Sequence, residues 1–502
     1  MAESETRRAA PRAGEQDSVE HAAEGLLYER IADELAAAIA HGALRAGDRM
    51  PSVRRLARQR RVSIATVLQA YLRLEDDGLI EVRPRSGHFV RSRKTQALAE
   101  PRAARPNLSP ARVSVTSGVR ALMESHRDLG IVALGAAQVS PELLPIRQLN
   151  RRLAAIVREI QDAGARYGDI TGELTLRRQL ARRSVDMGVS LHPSEFIVTV
   201  GATEGLHLAL QAVANRGDAV AVEVPTFFGV LQAVEHLGLK AIEVPSHSRT
   251  GLDLDCLERV LKNRPVRAVI AQPNVSNPLG SVMSDDAKER LVRLCARADV
   301  PLIEDDVYGE LAFDGRARAA LAWDRDGRVL LLGSVSKTLA PGYRIGWLVP
   351  GRYFERVERL KYSQTISTPP LLQMAVAEFL ESGGYDRHLR RLRSKLRLQV
   401  ERTREAVAAL FPAGTRVSSP AGGFVVWVEL PPGVDAYALQ QAALEHRISI
   451  APGPIFSARE RFTNCVRLSC GFPWSDRTQR ALATLGQLAS SLGGGRRRTA
   501  SS

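Results

Sequence analysis

The sequence GSVSKTLAPGYRIGW occupies residues 333–347 and overlaps the end of the apolar run RVLLLGS. The apolar run predicts a buried strand, and the small residues after it predict a loop at the strand's end. In this loop Lys337 lies among small hydroxyl residues, and Arg344 follows seven positions later. A lysine that forms a Schiff base needs a pocket that permits deprotonation, and Ser334 and Ser336 beside Arg344 leave room for a phosphate. A lone lysine is otherwise an ordinary solvated residue, so this interpretation depends on the other motifs.

A second apolar run, VPLIEDDVYGEL at residues 300–311, ends in three consecutive carboxylates. Ligands of open α/β sheets bind at the carboxyl ends of the strands, so Asp305 is predicted to lie beside a ligand. A pyridinium nitrogen stays protonated next to a carboxylate, and Tyr308 follows closely enough to reach a phenolic oxygen on the same ring. In AQPNVSNPLG at residues 271–280, Asn277 lies in a turn bounded by Pro and Gly, where its amide is placed to donate a hydrogen to that oxygen.

The segment VGATEGLHLAL at residues 200–210 is a glycine-rich turn that opens a helix directly after the strand FIVTV. Backbone N–H groups at such a helix start, together with the Thr203 hydroxyl, form a site for an anion. Phe227 in EVPTFFG is suited to stacking on a planar ring, although an aromatic residue there is equally suited to the core. The four motifs together predict one pocket for a ring that carries an anionic group.

A different pattern precedes these motifs. Residues 26–91 predict three helices and then two short strands, with Ile31, Leu35 and Ile39 on one face of the first helix. This order is that of a winged helix-turn-helix, whose second motif helix enters the DNA major groove. Residues 45–61 contain seven arginines and a single acid, so one end of this block is positive enough for phosphate contacts.

The helix that begins near Ser63 is the predicted reading helix. Its polar residues Thr66, Gln69 and Arg73 are expected on the exposed side, and its apolar residues are expected to pack inward. The residues expected to contact DNA are Arg54, Ser52, Ser63, Thr66, Gln69, Arg83 and His88. The alternative is a small protein-binding domain whose arginines only keep its surface solvated.

Composition narrows the class of protein. The chain has 502 residues, of which 44% are hydrophobic, so it is too long for one compact core and more than one domain is expected. Its net charge of +15 favours an anionic partner. The four cysteines form no CxxC pair, which argues against a disulfide framework or a zinc ribbon and fits a reducing cytoplasm. Neither a signal peptide nor a membrane-spanning apolar run is recognisable, so we expect a cytoplasmic protein associated with the nucleoid and not with membranes.

Composition and periodicity along the chain also predict the domain boundaries. Residues 1–25 are charged and aperiodic and are expected to be disordered. Residues 26–91 are predicted to form the winged helix-turn-helix. Residues 92–128 are rich in Pro, Ala, Arg and Ser and are predicted to be a linker. In residues 129–492 short apolar runs alternate with helical stretches, which is typical of βαβ units on a largely parallel sheet. Residues 493–502 are predicted to be a basic, flexible tail.

In the motifs above, the chain from about residue 129 to 492 resembles the fold-type I pyridoxal-phosphate (PLP) aminotransferases. The resemblance implies a large α/β domain with a mostly parallel sheet, a smaller α+β C-terminal domain, and PLP as cofactor. It implies that Lys337 forms the internal aldimine, that Asp305 holds the pyridine nitrogen, and that Asn277 and Tyr308 bind the ring hydroxyl. Phe227 stands where the family often has Tyr. The implied phosphate contacts are Gly201, Ala202, Thr203, Ser334, Ser336 and Arg344.

The resemblance also implies contacts outside these motifs. Tyr167 of RYGDITGELTLR matches the tyrosine that reaches the phosphate of the partner subunit in the dimeric family. Arg467 of NCVRLSCGF matches the arginine that binds the substrate α-carboxylate, a task suited to a planar bidentate donor, with Asn277 beside it. Ala136 and Ala137, in LGAAQVSPELLP, stand where the family usually has a glycine near that carboxylate.

The N-terminal block resembles the GntR family of bacterial regulators in PSVRRLA, VSIATVLQAY, DGLIEV and SGHFV. It departs from the family at Ile64 and Leu68, where many members have arginine. A GntR-like reader joined to an aminotransferase-like domain is the arrangement of the MocR subfamily.

This second resemblance implies a PLP-dependent transcriptional regulator that senses an amino acid or amine by external aldimine formation. It also implies that the protein binds a double-stranded operator as a head-to-tail homodimer. An active aminotransferase with an accessory DNA-binding domain is the main alternative. A dimerisation scaffold that keeps PLP as a relic is the second alternative.

Overall fold

A computed structural model of the chain divides into two compact units, Met1–Thr95 and Gln96–Ser502. The structure describes residues 27–498, except for short gaps at 40, 42, 46, 84–85, 92–97, 126–127, 129, 161 and 163–164. The predicted disordered arm, residues 1–25, lies outside the described residues. Among those that are described, no helix has the length and apolar character needed to cross a membrane.

The smaller unit consists of three helices followed by an antiparallel hairpin. Its elements are α1 (27–39), α2 (Val53–Arg60), α3 (Ile64–Asp76), β1 (Ile80–Arg83) and β2 (Gly87–Val90). This order confirms the predicted winged helix-turn-helix.

Serine side chains mark the starts of α2 and α3. The Ser52 hydroxyl accepts a hydrogen bond from the Arg55 backbone N–H at 3.3 Å, and the Ser63 hydroxyl accepts one from the Thr66 N–H at 3.0 Å. Each hydroxyl thereby satisfies an N–H group that the helix itself leaves free. Arg61 ends α2 in the left-handed region, at φ 53°, so that only two residues separate it from α3.

The inward face of α3 forms much of this unit's core. The Tyr71 hydroxyl crosses the core and donates to the Pro51 carbonyl at 2.6 Å. Other buried apolar side chains are Ile31, Leu35, Leu56, Val67, Ala70, Leu74, Ile80 and Val90.

The larger unit is built on a nine-stranded sheet and a second, four-stranded sheet. Its strands are β3 (Asn107–Arg112), β4 (Val132–Ala133), β5 (Ile197–Val200), β6 (Ala219–Val224), β7 (Lys240–His247), β8 (Gly251–Leu252), β9 (Val266–Ala271), β10 (Leu302–Asp305), β11 (Val329–Ser334), β12 (Ile345–Val349), β13 (Arg416–Val417), β14 (Val425–Glu429), β15 (Ile448–Ser449), β16 (Ala451–Pro452) and β17 (Cys465–Ser469).

The large sheet has the strand order β3-β7-β6-β9-β10-β11-β12-β5, with β8 beside β7. Strands β7, β6, β9, β10 and β11 pair in parallel, whereas β3 and β12 run antiparallel to their neighbours. The four-stranded sheet, β13-β14-β17-β16, is antiparallel. The predicted architecture, a mostly parallel α/β sheet with a smaller α+β C-terminal domain, is confirmed.

Helices pack on both faces of the large sheet. Along β11, Leu331 belongs to one apolar cluster whereas Leu330 and Leu332 belong to the other, because successive strand residues point to opposite faces. The helices of the larger unit are α4 (Thr116–Ser125), α5 (Ile146–Glu159), α6 (Leu174–Ser184), α7 (Gly201–Val213), α8 (Phe228–His236), α9 (Leu254–Asn263), α10 (Asp285–Arg297), α11 (Phe354–Gln364), α12 (Pro370–Glu381), α13 (Gly384–Leu410), α14 (Ala436–Glu445) and α15 (Asp476–Arg498).

Two predicted boundaries are wrong. The predicted linker, residues 92–128, contains the edge strand β3 and the helix α4, whose Val119 and Leu122 are buried. An edge strand with one buried side chain, Ala111, shows too little alternation to be recognised as a strand. The predicted tail from residue 493 is still helical, because α15 continues to Arg498 in spite of three glycines, which have low helix propensity.

Candidate functional site

The carboxyl ends of the parallel strands bring the predicted site residues together at one edge of the large sheet. Asp305 is the last residue of β10, and Lys337 lies three residues after the end of β11. Asn277 follows β9, and Gly201 follows β5 at the first turn of α7. Open α/β sheets bind their ligands at this edge.

Lys337 points toward the N-terminal segment of the larger unit. Its Nζ donates to the Ala137 carbonyl at 2.7 Å and lies 5.6 Å from the centre of the Tyr308 ring. Burial, followed by the nearby positive charge of Arg467, lowers the pKa of Lys337 to about 8, although Asp305 opposes the shift. About a tenth of this amine is therefore neutral, and hence nucleophilic, at pH 7, far more than of an ordinary lysine.

The shifted pKa predicts how Lys337 captures an added aldehyde. We expect the rate of covalent PLP attachment to the cofactor-free protein to rise with pH and to level off above a midpoint near 8, because only the neutral amine attacks. The visible band that appears on mixing, followed from pH 6.5 to 10, measures this rate. A free lysine derivative is the control, with its midpoint near the ordinary value of 10.5. A rate for the protein that still climbs steeply above pH 9 would contradict the prediction.

Asp305 is held by a residue that sequence reasoning missed. Its Oδ2 accepts from Gln272 Nε2 at 2.6 Å, and its Oδ1 accepts from the Val307 N–H at 3.2 Å. Gln272 Oε1 also accepts from the Asn277 N–H at 2.9 Å, so one side chain ties two predicted site residues together. Burial raises the pKa of Asp305, and these hydrogen bonds oppose the shift. The position of Gln272, first after β9 and at the same sheet edge as Asp305, was the available signal.

Tyr308 is buried, and its hydroxyl has no hydrogen-bond partner among the described residues. Burial raises the pKa of Tyr308 well above 10, so the hydroxyl keeps its proton as a donor. An unpaired buried hydroxyl is costly unless a ligand pairs with it. A ring that offers a phenolic oxygen to Tyr308, a nitrogen to Asp305 and an aldehyde to Lys337 is what PLP provides, so these residues fit that cofactor.

Residues predicted to bind phosphate lie around the start of α7. Gly201 has φ +71°, and a Cβ at this position would collide with the guanidinium of Arg344. Arg344 in turn donates to the Ser336 hydroxyl at 3.4 Å. Ala202 and Thr203 complete the first turn of α7, where free N–H groups favour an anion. The Ser334 hydroxyl, by contrast, is buried and is used within the loop, where it accepts from the Ser336 N–H at 3.1 Å and lies 2.9 Å from the Ile345 carbonyl.

Arg467, in the middle of β17, is fully buried. Its guanidinium donates to the Gly135 carbonyl at 2.6 Å and to Asn277 Oδ1 at 3.1 Å, and its Nε has no partner among the described residues. The rings of Phe228 and Phe456 lie 5.8 Å and 5.1 Å from its central carbon. Burial lowers the pKa of Arg467 to about 10. A buried guanidinium that contacts only neutral oxygens is an incomplete ion pair, and a ligand carboxylate would complete it.

Two predicted contacts lie at the margin of this constellation. Phe227 is half-buried directly before α8, with its ring centre 4.7 Å from that of Phe228. Tyr167 is 84% exposed. Within a single chain, Tyr167 is therefore a surface residue and not part of the buried site.

The reading helix buries one of the three polar residues that were predicted on its exposed side. Thr66 is only 3% exposed, and its hydroxyl lies 2.7 Å from that of Ser63 within the helix cap. Arg73 is half-buried and forms an ion pair with Asp33 at 2.7 Å. The prediction of Thr66 on the exposed side is therefore wrong, whereas Arg73 is partly exposed and Gln69 is exposed as predicted.

The other predicted DNA contacts fall into two groups. Arg54 is exposed in the first turn of α2, two residues after the cap residue Ser52. In the wing, Arg83 pairs with Glu81 at 2.8 Å, and His88 is half-buried with its ring edge against Tyr71. Arg54 and Gln69 are thus open to DNA, whereas His88 contributes to packing.

Each of the two units matches a known protein family. Residues 27–90 match the bacterial regulatory proteins of the gntR family, and residues 136–483 match the class I and II aminotransferases. The chain is 38% identical over 461 residues to the HTH-type transcriptional regulator YjiR of Escherichia coli (strain K12), covering 92% of this chain and 98% of that protein. The HTH-type transcriptional regulator YdcR of the same organism is 39% identical over 464 residues, with the same coverage.

The larger unit also resembles solved structures. LysN, the alpha-aminoadipate aminotransferase of Thermus thermophilus, was solved as a complex with N-(5'-phosphopyridoxyl)-L-leucine. It matches 75% of this chain and 95% of its own with a TM-score of 0.68 at 30% identity. A GntR-type helix-turn-helix and a PLP aminotransferase domain thus occur in one chain, as in regulators similar over almost their whole length. The chain belongs to the MocR subfamily of GntR-type transcriptional regulators, which are PLP-dependent and bind DNA.

Proposed function

We propose that this regulator changes its affinity for operator DNA when an amino compound that carries a carboxylate binds at the PLP site of its larger unit. The observation that carries the proposal is Arg467, a fully buried guanidinium without a carboxylate partner among the described residues, joined through Asn277 to the site of Lys337. A ligand with an amine and an α-carboxylate would satisfy both Lys337 and Arg467.

Each side chain of the site has a distinct task in this proposal. When bound, PLP supplies an electrophilic aldehyde that combines reversibly with amines. Lys337 holds the cofactor through Nζ, Asp305 keeps the ring nitrogen protonated, and Tyr308 with Asn277 donates to the ring oxygen. Phe227 stacks on the ring. The phosphate contacts are Gly201, Ala202, Thr203, Ser336 and Arg344, with Ser334 shaping their loop.

We also propose that the protein acts as a head-to-tail homodimer in the cytoplasm, at the nucleoid. Two reading units match two operator half-sites, as symmetric DNA-binding dimers do. The exposure of Tyr167, together with the exposed apolar residues Val157, Leu174 and Ile366, supports a covering partner subunit. Tyr167 would then reach the phosphate in the partner.

The test measures operator affinity of the PLP-loaded and the PLP-free protein. Each form is measured with an amino acid and with the corresponding decarboxylated amine, which gives four conditions. The DNA is a duplex enriched by the PLP-loaded protein from a random-sequence pool. A ligand shifts DNA binding only if it binds two arrangements of the protein unequally. We expect a change of at least about fivefold with one or more amino acids, the lower end of typical coupling between sites.

Affinity that is indifferent to PLP removal and to every ligand would contradict the sensing proposal. The aminotransferase alternative is tested on the same samples. Repeated transfer of the amino group to a keto acid at about 1 per second or faster would favour an enzyme over a sensor.

A further inference from the structure

The exposed face of the reading helix is apolar. Ile64, Leu68 and Leu72 are spaced four residues apart on α3 and are 50%, 43% and 58% exposed. Residues four apart share a helix face, so these side chains form a line about 12 Å long, here called the apolar line. Of the other exposed residues between its ends, Ala65 is small and Gln69 is uncharged. The face that a winged helix-turn-helix presents to a partner therefore carries no charge over this length.

This orientation is set by the core of the smaller unit. The opposite face of α3 carries Val67, Ala70, Tyr71 and Leu74, each fully buried. Rotating the helix to hide the apolar line would expose these four side chains and break the hydrogen bond from the Tyr71 hydroxyl to Pro51. The exposure of the apolar line is thus the arrangement that buries the larger apolar surface.

The helix α2, which packs against α3, and the segment before it are strongly basic. Arg54, Arg55 and Arg58 are exposed on α2, and Arg45 and Arg49 are exposed in the segment before it. A partner that contacts both helices must therefore be anionic where it meets α2 and apolar where it meets the apolar line. The DNA major groove has this character at A·T pairs, since phosphates line its edges and thymine C5-methyl groups project into it.

We propose that Ile64 and Leu68 read thymine methyl groups in the operator, and that Gln69 reads an adenine. The proposal rests on the DNA-binding function and names the bases that the function recognises. Ile64 and Leu68 are about 6 Å apart along the helix, which is roughly two base steps of about 3.4 Å. The amide of Gln69 matches the N6 and N7 edge of adenine, so all three side chains favour A·T pairs.

A protein partner fits these observations less well. Each side of a standard protein interface contains about 20–30 residues, whereas the apolar line consists of three side chains. We therefore treat a protein-docking role for the apolar line as an outcome of the test.

The experiment removes single methyl groups from the DNA. The full-length, PLP-loaded protein first enriches a duplex from a random-sequence pool. That duplex is then resynthesised with deoxyuridine in place of one thymidine at a time, which deletes a methyl group and keeps the base pair. We expect two positions in each half-site, about two base pairs apart, at which affinity falls about fourfold.

Protein variants assign each methyl group to a side chain. In Ile64→Ala the deoxyuridine effect should disappear at one position, and in Leu68→Ala at the other. Both residues are half exposed, so these variants are expected to fold, and circular dichroism checks this. Val82→Ala is the matched control, since Val82 is an equally exposed apolar residue in the wing, at 48%, and should leave both effects in place.

The outcomes distinguish failure of the thymine-reading proposal from failure of the DNA-binding function on which it rests. Absence of salt-dependent duplex binding would overturn both. If the protein binds the duplex and deoxyuridine weakens binding at no position, the thymine-reading proposal is wrong but the proposed regulatory function is not affected. If Ile64→Ala and Leu68→Ala keep both deoxyuridine effects but change the sedimentation of the protein, the apolar line is a protein-docking surface and the proposal is wrong.

Discussion

Replacing Lys337 by alanine is expected to abolish covalent PLP binding and, with it, every response of DNA affinity to amino acids. The site has one amine whose pKa is lowered to about 8 and whose Nζ lies against the Tyr308 ring. The buried amines of Lys288 and Lys361 are instead paired with the carboxylates of Asp285 and Glu204. After borohydride reduction, mass spectrometry should find the PLP mass on the peptide that contains Lys337 in the wild type and on no peptide in the variant.

The control for this experiment is Lys262→Ala, which removes an exposed lysine on α9 that pairs with Glu258. It should retain the visible band, the labelled peptide and the response to ligand. DNA binding by Lys337→Ala without ligand should persist, since the reading unit does not contain the lysine. A variant that loses the label but keeps its amino-acid response would support the alternative in which PLP is a relic.

The second large effect is expected at Arg467. Arg467→Met should weaken binding of an α-amino acid about 100-fold or more, because two charge-assisted hydrogen bonds to the carboxylate, each worth about 1.5–3 kcal/mol, are lost. The decarboxylated amine lacks that carboxylate, so its affinity should change less than about twofold. Ligand titrations of the visible band of the PLP-loaded protein measure both.

Two further variants sharpen this test. Arg467→Lys keeps the charge but not the planar fork, so it should recover only part of the lost affinity. Arg216→Ala removes an exposed arginine elsewhere on the larger unit and should behave as the wild type. Equal losses for the amino acid and the amine in Arg467→Met would show that Arg467 supports the pocket and does not bind the carboxylate.

The motifs of the site were recognisable in the sequence because each follows an apolar strand. Lys337, Asp305 and Asn277 all lie just beyond or at the ends of parallel strands, and such ends share one edge of a sheet. Gln272 carries no motif of its own, and its importance comes from reaching Asp305 on the next strand of the sheet. Such a contact depends on strand register, which local sequence does not specify for a strand buried on both faces.

In the smaller unit, α3 likewise combines features that local sequence predicts with contacts that only tertiary packing sets. Serine caps and spacing predicted where α3 begins and which apolar residues it buries, since capping and 3.6-residue periodicity are local. They did not predict that Thr66 turns inward to Ser63, that Arg73 pairs with Asp33, or that the outward face is the apolar line.

The amino-acid sequence therefore determined the order of elements, the two families and the chemistry available, because helix caps, periodicity and strand ends are encoded within a few residues. The assignment of each polar side chain to core, surface or site came from tertiary packing. Arg467 illustrates the reason: its buried guanidinium meets Gly135 and Asn277, which lie 332 and 190 positions away in the chain. Only the folded chain brings such distant groups within hydrogen-bond distance.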